Sequence, residues 1–523
     1  MRNTEPFFRL FLFGLLLFVF ACGQDNEVLT PDNMPNPSEN EITVTLNPSR
    51  FAPLTASLQF TTRVAVGIRL RVIGKNGPDS DVVKFYPDLA TAFNLPVLGL
   101  YPDFNNQVEV SFLDRNGNIV GTQTINIQTD FQSLDLPEIA INRANISQMR
   151  PGFTLVNYFG FRERNFPQKA FMFDAFGDIR WYLDYTNNNQ LANLFFDAGM
   201  IQLANGNLCF GDVNSGFIYE IDMLGNIQNT WNLRGNRFHH VVFEKPNGNL
   251  LATVTNTSLP TVEDLILELD RNSGAIINQW DLRQPLDQTR RTWDTNLANL
   301  NIDWVHANGL DYDESDNTII VSGRTQGTFK LTESNELVWI LAPHRGWEQA
   351  GNGQNLNQFL LQPLDAQGQP IDDPEVLSGD ANHPDFEWSW YQHSPVVLPN
   401  GNIMVFDNGD NRNFESTGFT RIGSYSRAVE YKIDATNKTI QQVWTYGKER
   451  TNETFSRIVS KVLYFEGEDN VVFAPGAVLQ DDQNVGRVIE VDKSSGRIVF
   501  EATIIPPRAP FNITFHSVYR VEL

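Results

Sequence analysis

From about residue 41 onward, hydrophobic and polar positions alternate in short runs separated by Gly- and Asn-rich turns. A period of two sends one face of a strand toward a core and the other toward water, so the pattern predicts an all-β chain. Residues 41–130 carry a first version of this texture, in "EITVTLNPSRFAPLTASLQFTTRVAVGIRLRVIG" and "VEVSFLDRNGNIVGTQTINIQT". The turn Arg115-Asn116-Gly117-Asn118 suits a hairpin. This region predicts a small N-terminal β-sandwich.

After about residue 145 a unit recurs. A partial copy, "KAFMFDAFGDIRW", ends on Trp181. "ANGNLCFGD" followed by "IDMLGNIQNTW" closes on Trp231, and "PNGNLLATV" followed by "LELDRNSGAIINQW" closes on Trp280. Further copies close on Trp339, Trp444 and Phe500. Each unit reads as about four short antiparallel strands that cannot bury both faces alone. Stacking six in a ring covers every face, which predicts a six-bladed β-propeller over residues 145–523. "FNITFHSVYRVEL" supplies a last strand able to close the ring. Long insertions interrupt the units, one with a short helix expected near 356–361. Loops of this kind are where a site or lid is built.

The start of the chain has a different pattern. "MRNTEPFFR" precedes the apolar "LFLFGLLLFVFA", which is short for a bilayer span and ends at Cys22. Val19 and Ala21 flank the site as a lipoprotein signal requires. Residues 1–22 therefore read as a lipoprotein signal peptide with Cys22 as the lipidated residue, and 23–40 as a polar, proline-containing tether. That implies a Gram-negative-type cell envelope, with lipid anchorage in the outer membrane and no other membrane contact. With Cys22 lipidated, only Cys209 remains, so the mature chain has no internal disulfide. Cys209 lies in a strand-like context and reads as a buried structural thiol.

Composition changes the picture in one respect. The formal net charge is −23, which excludes nucleic acid as a partner. An anionic substrate would also be repelled at long range, so its site must be locally cationic. Oligomeric state is not set by any of these features.

The candidate chemistry lies in the histidines, of which there are seven. His239 and His240 precede the first strand of the third unit, His306 that of the fourth, and His393 that of the fifth. Innermost strands of successive blades line one channel, so residues far apart in sequence become neighbours around an axis. Arg324 ends the strand "TIIVSGR" in the fourth unit and offers a forked guanidinium for an anion. His516 is placed to reach the channel. His344 and His383 fall in insertions and read as surface or loop residues. "DYDESDN" and "DNGDNRN" are oxygen-rich enough for Ca²⁺ but lack a ligand pattern, and read as turn and capping residues. The channel histidines leave a zinc-dependent hydrolase as a minor option, although Arg324 suits an anion better than a cation.

The segments "HANGL", "DNTIIVSGR" and "WSWYQHSPVVLPNGNIMVFDNGDNR" resemble the bacterial arylsulfate sulfotransferases. The resemblance covers the six-unit region well and the N-terminal region loosely. It implies a six-bladed propeller acting outside the cytoplasm on a phenolic sulfate donor and a phenolic acceptor, with no cofactor and no nucleotide sulfate donor. By motif, His393 matches the transiently sulfated nucleophile, and His306 and Arg324 match residues holding the sulfuryl oxygens. His240, or His239 after a one-residue slip, matches a further active-site histidine, and Asn308 a substrate contact. Members of that family can carry a disulfide close to the nucleophile, which this mature chain cannot form. The chemistry is coherent by itself: a neutral imidazole attacks sulfur, cationic donors stabilise the oxygens, and a second histidine moves the proton. Two other readings remain open at this stage: an aryl sulfatase, and a non-catalytic propeller binding a glycan or peptide.

Overall fold

The computed structural model describes residues 42–523 apart from 131–135, 161–168, 196, 198, 293–301, 413, 415–424 and 508–512. The lipoprotein signal, Cys22 and the tether lie outside the described residues. No helix among the described residues is long and apolar enough to cross a membrane.

Beyond the N-terminal domain the described residues form six sheets, antiparallel but for one outer strand. Blades 2, 3 and 4 are each four consecutive strands, for example Asn236–Glu244, Leu250–Asn256, Leu265–Leu269 and Ile276–Asp281 in blade 3. Blade 5 begins at His393–Val397 and gains an outer strand, Gln362–Leu364, in parallel pairing with Thr439–Tyr446. Blade 1 is closed by the C-terminal strand Ile513–Val521, which pairs antiparallel with Phe153–Gly160 as its innermost member. The chain also closes blade 6: Glu138–Ala144, just ahead of the repeat as read from sequence, pairs with Ile498–Ile505 as its outermost strand. Both ends of the repeat region are thus hydrogen-bonded to distant parts of the ring, a closure that leaves few open sheet edges.

The tryptophans that end the units have a common task. The indole N–H of Trp181 donates to the Met223 carbonyl at 2.7 Å, Trp231 to Arg271 at 2.8 Å, Trp280 to Thr332 at 2.8 Å, and Trp444 to Lys493 at 2.9 Å. Each acceptor lies at the outer turn of the next blade. A large apolar ring thereby packs between two sheets while its one polar atom is satisfied, each bond adding about 1 kcal/mol net. The sequence repeat is legible because four blade interfaces among the described residues carry this latch.

The N-terminal domain is held by the long strand Ala56–Val72, which pairs with Thr43–Leu46 in its first half, Asn105–Leu113 in its second, and Val82–Val97 along most of its length. Its buried residues, such as Leu58, Ile68 and Val110, share one apolar cluster with Phe171 and Trp181 of blade 1. Arg180, fully buried, donates from blade 1 to the Gly99 and Ser80 carbonyls and pairs with Asp174 at 2.8 Å. In the insertion before blade 5 the expected short helix is a 3-10 turn over Leu356–Phe359, and a five-residue α-helix, Pro374–Ser378, follows. His344, expected as a surface or loop residue, lies in a loop of that insertion, half-buried and bonded through Nε2 to the Leu361 carbonyl at 2.9 Å.

Candidate active site

The candidate side chains stand where innermost strands slip register. In blade 3 the slip falls between Phe238 and Val242, spanning His239 and His240. In blade 4 it spans Asn308, with His306 just before the strand. In blade 5 it follows His393, and in blade 1 it spans His516. An extra residue bends a strand and re-aims the side chains beside it. His240 and His306 accordingly adopt φ of 52° and 50°, a region uncommon outside glycine. Four blades thus bring residues from 240 to 516 onto one axis.

His240, Asn308, His393 and His516 line one cavity at this point. His306 joins them through His240: the two Nε2 atoms are 3.2 Å apart, a separation that admits one proton between them. Of the histidine pair, His240 faces the cavity. His239 packs behind it, ring perpendicular and centroids 5.3 Å apart, and burial pushes its pKa down to about 4. Asn308 donates to the Gln392 carbonyl at 3.0 Å, tying blade 4 to the residue before His393, while its own buried carbonyl oxygen has no partner.

Electrostatics divide the histidines into two kinds. His393 is buried, and its Nδ1 lies 2.7 Å from the Asn408 side-chain oxygen. The Asn408 amide donates to the Ser456 and Val459 carbonyls at 2.8 and 3.0 Å, which fixes its oxygen toward the imidazole. Nδ1 must then carry the proton, leaving Nε2 as the basic nitrogen. Burial, followed by the Arg324 charge, holds the His393 pKa well below the usual histidine range, so the ring is neutral. His306 is the opposite case. Burial opposes its charge, but Glu263 at 2.9 Å and Asp303 at 2.6 Å outweigh it and push the pKa up to about 10. His240 is raised too: Asp197 at 3.1 Å and Glu263 at 3.2 Å overcome its burial. Asp197 also meets His516 Nδ1 at 2.6 Å; there burial prevails and the His516 pKa is lowered.

Arg324 lines an adjoining pocket with Tyr391 and Gln392, the two residues ahead of His393. Its guanidinium lies 5.1 Å from the Tyr391 ring centroid and pairs with Asp410 at 3.1 Å, a carboxylate shared with Arg457. The oxygen-rich "DNGDNR" stretch is consumed in the same way, Asp407 by Arg412 and Arg427 at 2.9 and 2.8 Å. Three groups among the described residues have the composition of metal ligands: one is His239, His240 and Glu263, and the other two are Asp197, His240 and His516, and Glu263, Asp303 and His306. In the last two, nitrogen–oxygen separations of 2.6 to 3.1 Å are those of direct hydrogen bonds. Donors around a tetrahedral zinc with ~2.0 Å bonds lie ~3.3 Å apart. Both groups therefore fit charge-assisted imidazole–carboxylate pairs. Cys209 is fully buried, and burial pushes its thiol pKa up, as suits an inert core residue.

The profile of the family described as arylsulfotransferase (ASST) matches residues 138–510, and that of the arylsulfotransferase Ig-like domain matches residues 43–130. The chain belongs to the arylsulfotransferase family. Curated relatives named arylsulfate sulfotransferase AssT, from Escherichia coli and Lelliottia amnigena, are 28% and 27% identical, each over 88% of this chain and 90% of the relative. Among solved structures, a protein of unknown function from Bacteroides caccae aligns with a TM-score of 0.41 at 11% identity, covering 72% of this chain and 100% of that one. As an arylsulfotransferase the chain is an enzyme that transfers sulfuryl groups between small aryl substrates. Sequence reasoning missed several groups that shape this arylsulfotransferase site. Asn408 was inside a quoted motif but unassigned. Asp410 lay in that motif too, within a stretch read as turn and capping residues, whereas Asp197, Glu263 and Asp303 lie in loops with no repeat signal, among 62 acidic residues.

Proposed function

We propose that the chain moves a sulfuryl group from a phenolic sulfate ester to a phenolic acceptor through a covalent intermediate on His393, in a ping-pong cycle with no nucleotide sulfate donor. Nε2 of His393 attacks sulfur, the bond from sulfur to the aryl oxygen breaks, and the leaving phenolate takes a proton from the His306–His240 pair. An incoming phenol returns a proton to that pair as its oxygen attacks sulfur, and the bond from sulfur to nitrogen breaks. Protonated His306, Asn308 and Arg324 are the groups that would meet the sulfuryl oxygens. The observation that carries this reading is the Asn408 contact at Nδ1, because it presents a neutral imidazole with its lone pair on Nε2.

The deciding assay follows nitrophenol release from nitrophenyl sulfate, with and without phenol, in chelator and without nucleotide. Release that depends on phenol is expected, with loss of at least a thousandfold in His393→Ala. Full activity in His393→Ala would overturn the nucleophile. Release without phenol would make the enzyme an aryl sulfatase.

We further propose that Cys22 carries lipid and anchors the enzyme in the outer membrane of a Gram-negative-type envelope. Palmitate labelling should mark the wild-type chain and not Cys22→Ala. Equal labelling of both would remove the anchor.

A further inference from the structure

Arg290 poses a problem that sulfuryl transfer at His393 does not solve. It is 3% exposed, yet among the described residues no carboxylate comes within the 4.0 Å of an ion pair. Its donors go to neutral oxygens: Nε to the Arg345 carbonyl at 3.0 Å, Nη1 to the Gln326 carbonyl and side chain at 3.2 and 2.9 Å, and Nη2 to the Pro343 carbonyl at 3.3 Å. Five N–H groups and four such bonds leave one N–H on Nη2 over. The guanidinium stacks 4.2 Å from the Trp347 ring centroid. Burial pushes its pKa down to about 9 against the charge of the buried Asp287 carboxylate, which acts from beyond ion-pair distance, and the group is still charged at neutral pH. Buried charges are ordinarily paired, and an unpaired one is costly.

The same pocket contains a second unsatisfied group. Ser389, also 3% exposed, lines it, and its hydroxyl finds no hydrogen-bond partner among the described residues. Arg324 forms another part of the wall, with Trp390 and Tyr391 between. A guanidinium with no ion-pair partner among the described residues, a hydroxyl without a hydrogen-bond partner there and aromatic walls therefore sit beside the guanidinium assigned above to the sulfuryl group.

We propose that this pocket is an anion subsite that receives a carboxylate borne on the aromatic ring of donor or acceptor, so that the preferred substrates are carboxylated phenols and their sulfate esters. The inference rests on the transfer reading above. In a ping-pong cycle donor and acceptor occupy the site in turn, so one subsite serves both. The net charge of −23 gives it a further purpose: a dianionic aryl sulfate needs compensating cations close at hand.

The test compares two acceptors that differ only in this group, 4-hydroxyphenylacetate and its neutral amide, with nitrophenyl sulfate as donor. The wild type is expected to favour the carboxylate in kcat/KM by about tenfold or more, the usual worth of a charge-assisted hydrogen bond. In Arg290→Gln the ratio should fall toward one, Arg290→Lys should keep part of it, and Ser389→Ala should reduce it by a few-fold. A wild-type ratio of one or less, or a ratio unchanged in Arg290→Gln, would overturn the subsite and leave Arg290 as a packing residue. If the wild type transfers to neither acceptor, the transfer reading fails separately. Thermal-shift titration with the same two phenols and with acetate then decides the pocket. Stabilisation by the aryl carboxylate alone, lost in Arg290→Gln, supports it. Equal stabilisation by acetate, or none by any of the three, rejects a ring-borne carboxylate.

Discussion

His393 and His306 are the same residue type on adjacent blades, and the fold makes one neutral and the other cationic. Burial and the nearby Arg324 charge keep His393 neutral, since the Asn408 amide at Nδ1 favours its proton too weakly to offset them. His306 meets two carboxylates at Nδ1, so it is protonated. Both are buried in one site. The burial penalty acts on both in the same direction, so the partners decide. An enzyme that needs a nucleophile and a cation side by side obtains both from imidazole by choosing between Asn and Asp or Glu behind the ring.

The largest test of this contrast is Asn408→Asp. A carboxylate at Nδ1 would raise the His393 pKa and leave the ring protonated at pH 7, without a nucleophilic lone pair. Transfer is expected to fall about 10- to 100-fold at pH 7 and to recover as pH rises past the new pKa, each tenfold being ~1.4 kcal/mol. A pH–rate profile matching the wild type would break the contrast.

A smaller effect, on stability rather than rate, sharpens the other half. The His306 pKa is raised from 6.5 to about 10, so the folded chain binds this proton more tightly than the unfolded one. The stabilisation is fully present below pH 6.5 and is lost as pH rises through 10, amounting to at most ~5 kcal/mol before allowance for its coupled neighbours. His306→Gln should be less stable than wild type near pH 6, and the gap should close toward pH 10. A gap independent of pH, followed by thermal denaturation across that range, would show that His306 is not charged in the fold.

Much of the architecture could be read from local pattern. The six units, the hairpin turns and the closing strand were visible because alternation, Gly/Asn turns and the terminal aromatic residue repeat wherever a blade must meet its neighbour. Glu138–Ala144 was not recognised as part of the last blade, because its partner is Ile498–Ile505 and pairing across such a distance has no local signature. The histidines were found because their positions repeat. Their carboxylate and amide partners were not, because they occupy loops and bulges whose spacing follows no period.

The sequence by itself therefore determined that the chain is all-β, that its units close into a ring, and that histidines from three blades face one channel. Alternation and repetition are local properties, and the burial of one face follows from them. The tertiary structure alone decided which histidine is neutral, which is charged, and where a buried guanidinium has no ion-pair partner among the described residues. Those are properties of distances of about 3 Å between residues far apart in the chain, and only the closed ring sets them.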